Sequence, residues 1–226
     1  MTRLLMGGQA TTNPLICSGC FGDLRKHRGG AETPLSVLFA DVRGSTALAE
    51  RTGPAEYTHL LHRFYQIAAS AIDHANGILD KFLGDGVMAL FIPMIAGSDH
   101  AARAIDAGRE VLLEAERRDL TSAGLQIGAG VHTGIAFAGA LGSDDRLDFT
   151  ALGDTVNVAA RLGSRAGPGE LLVSLGAWDE AQAAGSARDV RQIAIAGRTT
   201  PLDVVAIQVG ADSAPLGTNA ESDRAG

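Results

Sequence analysis

The chain has 226 residues, of which 46% are hydrophobic and 20% are charged, with a formal net charge of −7. These values predict one ordinary globular domain, and the acidic balance without a clustered basic face argues against nucleic-acid or membrane-surface binding. No apolar run approaches the ~20 residues that cross a bilayer, and the N-terminus lacks the apolar core of a signal peptide. We therefore expect a cytoplasmic protein with no membrane partner.

The two ends of the chain differ in composition from the middle. Residues 1–34 mix Gly, Thr and Pro with basic residues and are interpreted as a flexible arm. The arm carries Cys17 and Cys20 as a CxxC pair, which we interpret as two reduced thiols because a zinc site needs four ligands. A zinc ion shared between two chains is the alternative. Residues 35–209 form the predicted domain, and residues 210–226 are small and polar and form a predicted disordered tail.

The stretch LSVLFADVRGST, residues 35–46, predicts a buried strand of about seven residues that ends on Asp41. Burying a charged carboxylate in a hydrophobic core is unfavourable, so Asp41 at the end of this strand is a candidate functional residue. Gly44 turns the chain, and we expect Ser45 and Thr46 to cap a helix. The backbone N–H groups of this turn, at the positive end of the helix dipole, are typical of a phosphate site beside the carboxylate.

A second carboxylate follows in DKFLGDGVMALF, residues 80–91. Two apolar segments, residues 78–83 and 87–92, flank Gly84-Asp85-Gly86, which predicts a hairpin with Asp85 at its tip. If the first strand pairs beside this hairpin, Asp41 and Asp85 meet at one end of the sheet. Two such carboxylates repel each other unless a cation lies between them, and Mg²⁺ or Mn²⁺ suits oxygen ligands. The alternative is that Asp85 only forms the turn.

The remaining elements complete a layered α/β structure. Two helices are predicted over residues 54–76 and 98–118, and a shorter helix around Trp178. A strand is predicted over residues 125–132, with a turn at Thr133-Gly134 and a returning strand over residues 135–141. Later strands are predicted over residues 171–173, 190–195 and 201–207.

The stretch FTALGDTVNVAARL, residues 149–162, predicts a helix that opens at Gly153 and is capped by Asp154. Asn157 and Arg161 are four residues apart and share one helical face. Amide and guanidinium donors near the positive end of a helix suit a phosphate and ribose. An ordinary surface pair is the alternative.

Together, LFADVRGST, DKFLGDGVMALF, GVHTGIAFAG and FTALGDTVNVAARL resemble, in order and spacing, the catalytic domain of class III nucleotidyl cyclases. The resemblance covers about Leu35 to Ile207. It implies a ferredoxin-like α/β sandwich with an antiparallel-rich sheet flanked by helices. It also implies a head-to-tail homodimer whose two sites mix residues of both chains.

The resemblance implies a role for each matching residue. Together with the choice of base argued below, it implies an adenylate cyclase that converts ATP to 3′,5′-cyclic AMP and pyrophosphate, with two Mg²⁺ or Mn²⁺ ions at each site. One ion activates the ribose 3′-hydroxyl and the other binds the triphosphate. The implied metal positions are Asp41, Val42 and Asp85; the base-reading positions are Lys81 and Thr150; Asn157 orients the ribose and Arg161 stabilises the transferring phosphate.

The base-reading pair favours adenine. Adenine offers N1 as an acceptor and its 6-amino group as a donor, which suit the N–H of Lys81 and the oxygen of Thr150. Guanine reverses both groups. Because a hydroxyl can also donate, Thr150 alone discriminates less strictly than an aspartate, and some use of GTP is compatible with it.

One position departs from the family pattern. The family has a lysine on a late hairpin that binds the triphosphate, and this chain has Ala196 there, with Arg198 as the candidate substitute. If Arg198 cannot reach the triphosphate, the domain is a catalytically weak nucleotide-binding or dimerisation module. A guanylate cyclase is a further alternative. A polymerase-like or dinucleotide-cyclase enzyme also pairs two carboxylates on such a sheet, but the helix face of Asn157 and Arg161 argues against it.

Overall fold

A computed structural model describes residues 29–143, 146–181, 189–195 and 200–210 of the chain. The CxxC pair, Ala196, Arg198 and the tail after residue 210 lie outside the described residues. The predictions made for them stay predictions.

The described part of the chain contains eight strands and six helices. The strands are β1 (Gly30–Arg43), β2 (Ile78–Leu83), β3 (Gly86–Phe91), β4 (Gln126–Ser143), β5 (Arg146–Leu152), β6 (Glu170–Ser174), β7 (Asp189–Ile193) and β8 (Leu202–Gln208). The helices are α1 (Ser45–Thr52), α2 (Pro54–His74), α3 (Pro93–Ala96), α4 (His100–Arg117), α5 (Asp154–Arg165) and α6 (Leu175–Glu180). None of the described helices is both long and apolar enough to cross a membrane.

All eight strands belong to one sheet, in the order β2-β3-β1-β4-β6-β8-β7, with β5 paired to β4. Among the described strands, only β4 and β6 pair in parallel. Helices α2 and α4 pack over one face, around Phe64 and Phe91, whereas Ala159 of α5 packs with Val37 and Ala136 on the other. The predicted antiparallel-rich sandwich flanked by helices is confirmed.

Strand β1 is longer than predicted and runs through the centre of the sheet. Alternate residues are buried on opposite faces, with Leu38 and Ala40 toward α2 and α4 and Val37 toward α5. Asp41 therefore lies on the α5 face. The strand continues to Arg43 and begins at Gly30, so that residues 30–34, assigned to the arm, form its first part. These residues are mostly exposed and carry no apolar pattern that the sequence could reveal.

Strand β4 is a single strand of 18 residues. The predicted turn at Thr133-Gly134 is wrong, because Gly134 is extended and pairs with Leu35 of β1. A Cβ atom at Gly134 would lie 2.7 Å from Oγ1 of Thr155. This glycine therefore serves the close approach of α5 to the sheet, where the Thr155 hydroxyl donates to the carbonyl oxygen of Ile135 at 2.7 Å.

Strand β5 and the one-turn helix α3 were not predicted. No element was predicted for residues 142–152, but β5 pairs with the second half of β4, with Thr150 opposite Gly139. Ala151 of β5 packs in the same cluster as Ile78 of β2. The hairpin of β4 and β5 therefore folds back over the sheet and brings Thr150 toward β2.

Candidate active site

Asp41 and Asp85 line the same cavity at one end of the sheet. Asp85 lies in the two-residue turn between β2 and β3, and the backbone N–H of Val42 donates to its carbonyl oxygen at 3.0 Å. Burial raises the pKa of Asp41, Arg43 lowers that pKa, and the charge of Asp85 raises it. The structure thus brings the two acids close enough to repel each other, and a cation between them would relieve the repulsion.

Arg43 holds the Asp41 carboxylate from the same face of β1. Its guanidinium forms a salt bridge with Asp41 at 2.5 Å and donates to the carbonyl oxygen of Ser164 at 2.7 Å, in the last turn of α5. The side chain of Asp41 is 35% exposed and that of Arg43 is 17% exposed, so the acid faces the solvent. Arg43 was not predicted as a site residue, although two-residue alternation along a strand places positions 41 and 43 on one face.

The hairpin tip that carries Asp85 is supported from several sides. Gly84 has a φ of 66°, which favours glycine in this turn. The hydroxyl group of Tyr65, on α2, donates to the carbonyl oxygen of Gly84. A Cβ atom at Gly86 would lie 3.1 Å from a carboxylate oxygen of Asp41, so the absent side chain leaves room for that acid.

The turn after β1 differs in detail from the prediction. The N-cap of α1 is Gly44, with a φ of 63° and no side-chain cap, so the prediction that Ser45 and Thr46 cap this helix is wrong. The left-handed conformation of Gly44 lets the helix begin directly at Ser45. Since no side chain caps the first turn, its backbone N–H groups keep their capacity to bind an anion.

Lys81 and Thr150 meet on the face of the sheet where β5 folds over β2. The Lys81 ammonium donates to Oγ1 of Thr150 at 2.9 Å. Both groups contact Asp80, whose Oδ2 lies 2.6 Å from Oγ1 of Thr150 and 3.3 Å from Nζ of Lys81. Asp80 was not predicted as a site residue, because a carboxylate inside an alternating strand gives no signal of its burial.

Asn157 and Arg161 lie one turn apart on α5, with Asn157 exposed and Arg161 partly exposed. The N-cap of this helix is Gly153, with a φ of 143°, and Asp154 is its first residue. The predicted capping by Asp154 is therefore wrong, since the unusual backbone of Gly153 starts the helix one residue earlier than an aspartate cap would.

The structure brings Asp41 together with Asp85 and Lys81 together with Thr150, but it does not gather all the predicted residues in one place. The cavity of Asp41 and Asp85 is lined on its α5 side by Ala160, Gly163 and Ser164, and not by Asn157 or Arg161. Neither Lys81 nor Thr150 lines this cavity. Within one chain, the acids and the predicted nucleotide-reading residues therefore lie in different places.

The acid pair suits a divalent cation that also contacts substrate. No cluster of three or more His, Cys, Asp or Glu side chains with metal-binding geometry occurs among the described residues. Mg²⁺ is commonly held by one or two carboxylates together with substrate phosphates. Asp41, partly exposed and repelled by Asp85, fits this kind of site.

Comparison with known proteins decides the family. Residues 30–201 match the family model described as the adenylate and guanylate cyclase catalytic domain. The chain belongs to this cyclase family. The resemblance drawn from the four sequence segments is thereby confirmed.

Relatives of this cyclase domain include larger proteins. An adenylate cyclase of Anabaena cylindrica is 34% identical over 141 residues, which are 59% of this chain and 28% of that protein. Adenylate cyclase 1 of Rhizobium meliloti is 32% identical over 152 residues, 65% of this chain and 22% of that protein. The chain thus spans less than a third of the length of these relatives.

Solved cyclase structures share the fold. The guanylyl cyclase Cya2 has a TM-score of 0.72 and 29% identity, covering 80% of this chain and 95% of that chain. The adenylyl cyclase CyaB from P. aeruginosa has a TM-score of 0.71 and 28% identity, covering 82% and 100%. A guanylyl and an adenylyl cyclase match equally well, so base preference must be argued from individual residues.

Proposed function

We propose that this cyclase domain is an adenylate cyclase, which forms 3′,5′-cyclic AMP and pyrophosphate from ATP. The contact between Lys81 and Thr150, at 2.9 Å, carries the choice of base. It places an ammonium donor beside a hydroxyl oxygen, which is the pattern that complements N1 and the 6-amino group of adenine. Relatives named adenylate cyclase, at 34% and 32% identity, support the same choice.

Asp41 and Asp85 are the proposed ligands of two Mg²⁺ or Mn²⁺ ions, together with the backbone of Val42. When bound, such cations lower the pKa of the ribose 3′-hydroxyl and neutralise charge on the phosphates. The role of the protein is to hold the two acids in position. Arg43 holds the Asp41 carboxylate, and the turn supported by Tyr65 holds Asp85. The N–H groups of residues 44–46 donate to a phosphate, and Arg198 is the proposed additional triphosphate contact.

The complete site is proposed to form between two copies of the chain in a head-to-tail homodimer. The cavity of Asp41 and Asp85 has a volume of about 190 Å³, below the ~300 Å³ at which small-molecule sites begin. It is too small to enclose a nucleoside triphosphate. Asn157 and Arg161 of the opposing copy would complete it, with Asn157 orienting the ribose and Arg161 balancing charge on the α-phosphate.

The direct test is product formation by the purified chain with Mn²⁺ and either ATP or GTP. We expect cyclic AMP and pyrophosphate, with ATP used in preference to GTP. Predominant formation of cyclic GMP would make the domain a guanylate cyclase. Nucleotide binding without any cyclic product would favour the alternative of a regulatory or dimerisation module, for which the substitution of Ala196 for the family's lysine is the specific observation.

A further inference from the structure

A buried carboxylate beside the base-reading pair has no role in the mechanism proposed above. The side chain of Asp80 is 0% exposed, whereas that of Lys81 is 34% exposed. Oδ1 of Asp80 has no hydrogen-bond partner among the described residues. Burying a carboxylate is costly unless it is paired and hydrogen-bonded. Among the described residues, the hydrogen-bond and salt-bridge partners of Asp80 are Thr150 and Lys81, the residues proposed to recognise the purine.

The three side chains allow only one arrangement of protons while Asp80 is ionised. An ammonium group has no acceptor, so Lys81 donates to Oγ1 of Thr150 across 2.9 Å. The single hydroxyl proton of Thr150 then points to the carboxylate of Asp80, 2.6 Å away. The remaining lone pair of Thr150 can accept a hydrogen bond but cannot donate one.

We propose that Asp80 is a positioning residue for base selection: by holding the proton of the Thr150 hydroxyl, it makes that oxygen an obligate acceptor and so selects adenine over guanine. The proposal rests on the adenylate cyclase function proposed above. Adenine presents its 6-amino donor to Thr150 and its N1 acceptor to a remaining proton of Lys81. Guanine presents an oxygen at position 6 and an N–H at N1, so both contacts become repulsive. Thr150 therefore discriminates more strictly than a hydroxyl that is free to turn.

The charges around Asp80 make this arrangement sensitive to acid. Burial raises the pKa of Asp80, while the hydrogen bond from Thr150 and the charge of Lys81 lower it and the charge of Asp148 raises it. Once Asp80 is protonated it can donate to Thr150, whose own proton is then released to face the ligand. Discrimination against GTP should therefore weaken as the pH falls through the raised pKa.

The test compares Asp80→Asn, Thr150→Val and the double variant with wild type. The matched control is Asp148→Asn, the same change at an exposed carboxylate nearby. For each protein, kcat/KM is measured for ATP and GTP with Mn²⁺, and equilibrium binding is measured for 3′-deoxy-ATP and 3′-deoxy-GTP, which lack the attacking hydroxyl. We expect Asp80→Asn to lower the ATP-to-GTP ratio about tenfold, Asp148→Asn to leave it unchanged, and Asp80→Asn to have no further effect in the Thr150→Val background.

An unchanged ratio in folded Asp80→Asn protein would overturn the proposal, and so would an equal effect of Asp80→Asn with and without the Thr150 hydroxyl. If wild type forms no cyclic nucleotide, the proposed function fails, but the binding ratio of the two deoxynucleotides still decides the role of Asp80. If Asp80→Asn does not fold, the binding ratio of wild type as a function of pH replaces it. A ratio that stays constant as the pH falls through the raised pKa of Asp80, in protein that remains folded, would contradict the proposal.

Discussion

Two ion pairs of this domain, Asp41 with Arg43 and Asp80 with Lys81, are built in opposite ways. In the first pair the acid is 35% exposed and the base 17% exposed; in the second the base is 34% exposed and the acid 0% exposed. In each pair, the more exposed partner is the group proposed to face the ligand, a cation for Asp41 and a purine nitrogen for Lys81. The buried partner sets the position and charge of the exposed one. In both pairs the less exposed partner is therefore the proposed positioning residue.

The prediction with the largest expected effect concerns the carboxylates Asp41 and Asp85. Asp85→Ala should lower cyclase activity by roughly 100-fold or more, because the cation site loses half of its carboxylate charge. The measurement is product formation over a range of Mn²⁺ concentrations. Asp73→Ala, at an exposed carboxylate near the end of α2, is the control and should keep full activity. Equal activities of Asp85→Ala and Asp73→Ala would remove Asp85 from the site.

The second test removes the exposed base of the second pair. Lys81→Met leaves the fully buried Asp80 without a counter-charge and should lower the free energy of unfolding by about 2 kcal/mol. Chemical denaturation measures this loss. Adding Asp80→Asn to Lys81→Met should restore most of the stability. A double variant as unstable as the single one would mean that Lys81 acts through packing and not through its charge.

The corresponding change in the first ion pair should lower the free energy of unfolding by a smaller amount. Arg43→Met leaves Asp41 in contact with solvent, so the main loss is the hydrogen bond to the last turn of α5, worth about 1 kcal/mol. Activity should nevertheless fall about tenfold or more, because Asp41 loses the group that orients it. If Arg43→Met proves less stable than Lys81→Met, the comparison of the two pairs is wrong.

The smallest effect is in the pH dependence of stability. Because the pKa of Asp80 is raised above its usual value of 3.8 in the folded state, the folded protein binds this proton more tightly than the unfolded chain does. Stability from this residue is therefore present at low pH and is lost as the pH rises through the raised pKa, by about 1.4 kcal/mol for every tenfold difference in proton affinity between the folded and unfolded states. Relative to Asp80→Asn, wild type should lose stability in thermal unfolding curves as the pH rises from the usual value of 3.8 through the raised pKa. A difference that is independent of pH would contradict this.

Much of the fold could be predicted from the sequence because its helices and its central hairpin carry regular apolar patterns. Helices α2 and α4 and the hairpin around Asp85 lie within two residues of their predicted bounds. The wrong turn prediction has a different origin: Gly134 resembles a turn residue, yet its missing side chain serves close packing against α5. Close packing between segments that are far apart in the sequence leaves no local sequence pattern.

The candidate site likewise contains features that local sequence predicts and features that depend on contacts between distant segments. The proximity of Asp41 and Asp85 could be predicted from a carboxylate at the end of an apolar strand and another in a tight turn. The contact of Asp80 with Thr150 could not be predicted, because it depends on β5 folding over β2, which puts Thr150 beside a residue 70 positions away. Local sequence reveals the groups that face a ligand more readily than the buried groups that position them.

The central claim is that one site is shared by two copies of the chain, and mixing two inactive variants tests it most directly. Asp85→Ala removes a residue of the cation side, and Arg161→Ala removes one of the opposing side. In a mixed dimer one site carries both lesions and the other carries none, so equal mixing should restore about a quarter of wild-type activity. No recovery, after exchange of subunits has been demonstrated, would contradict the shared site.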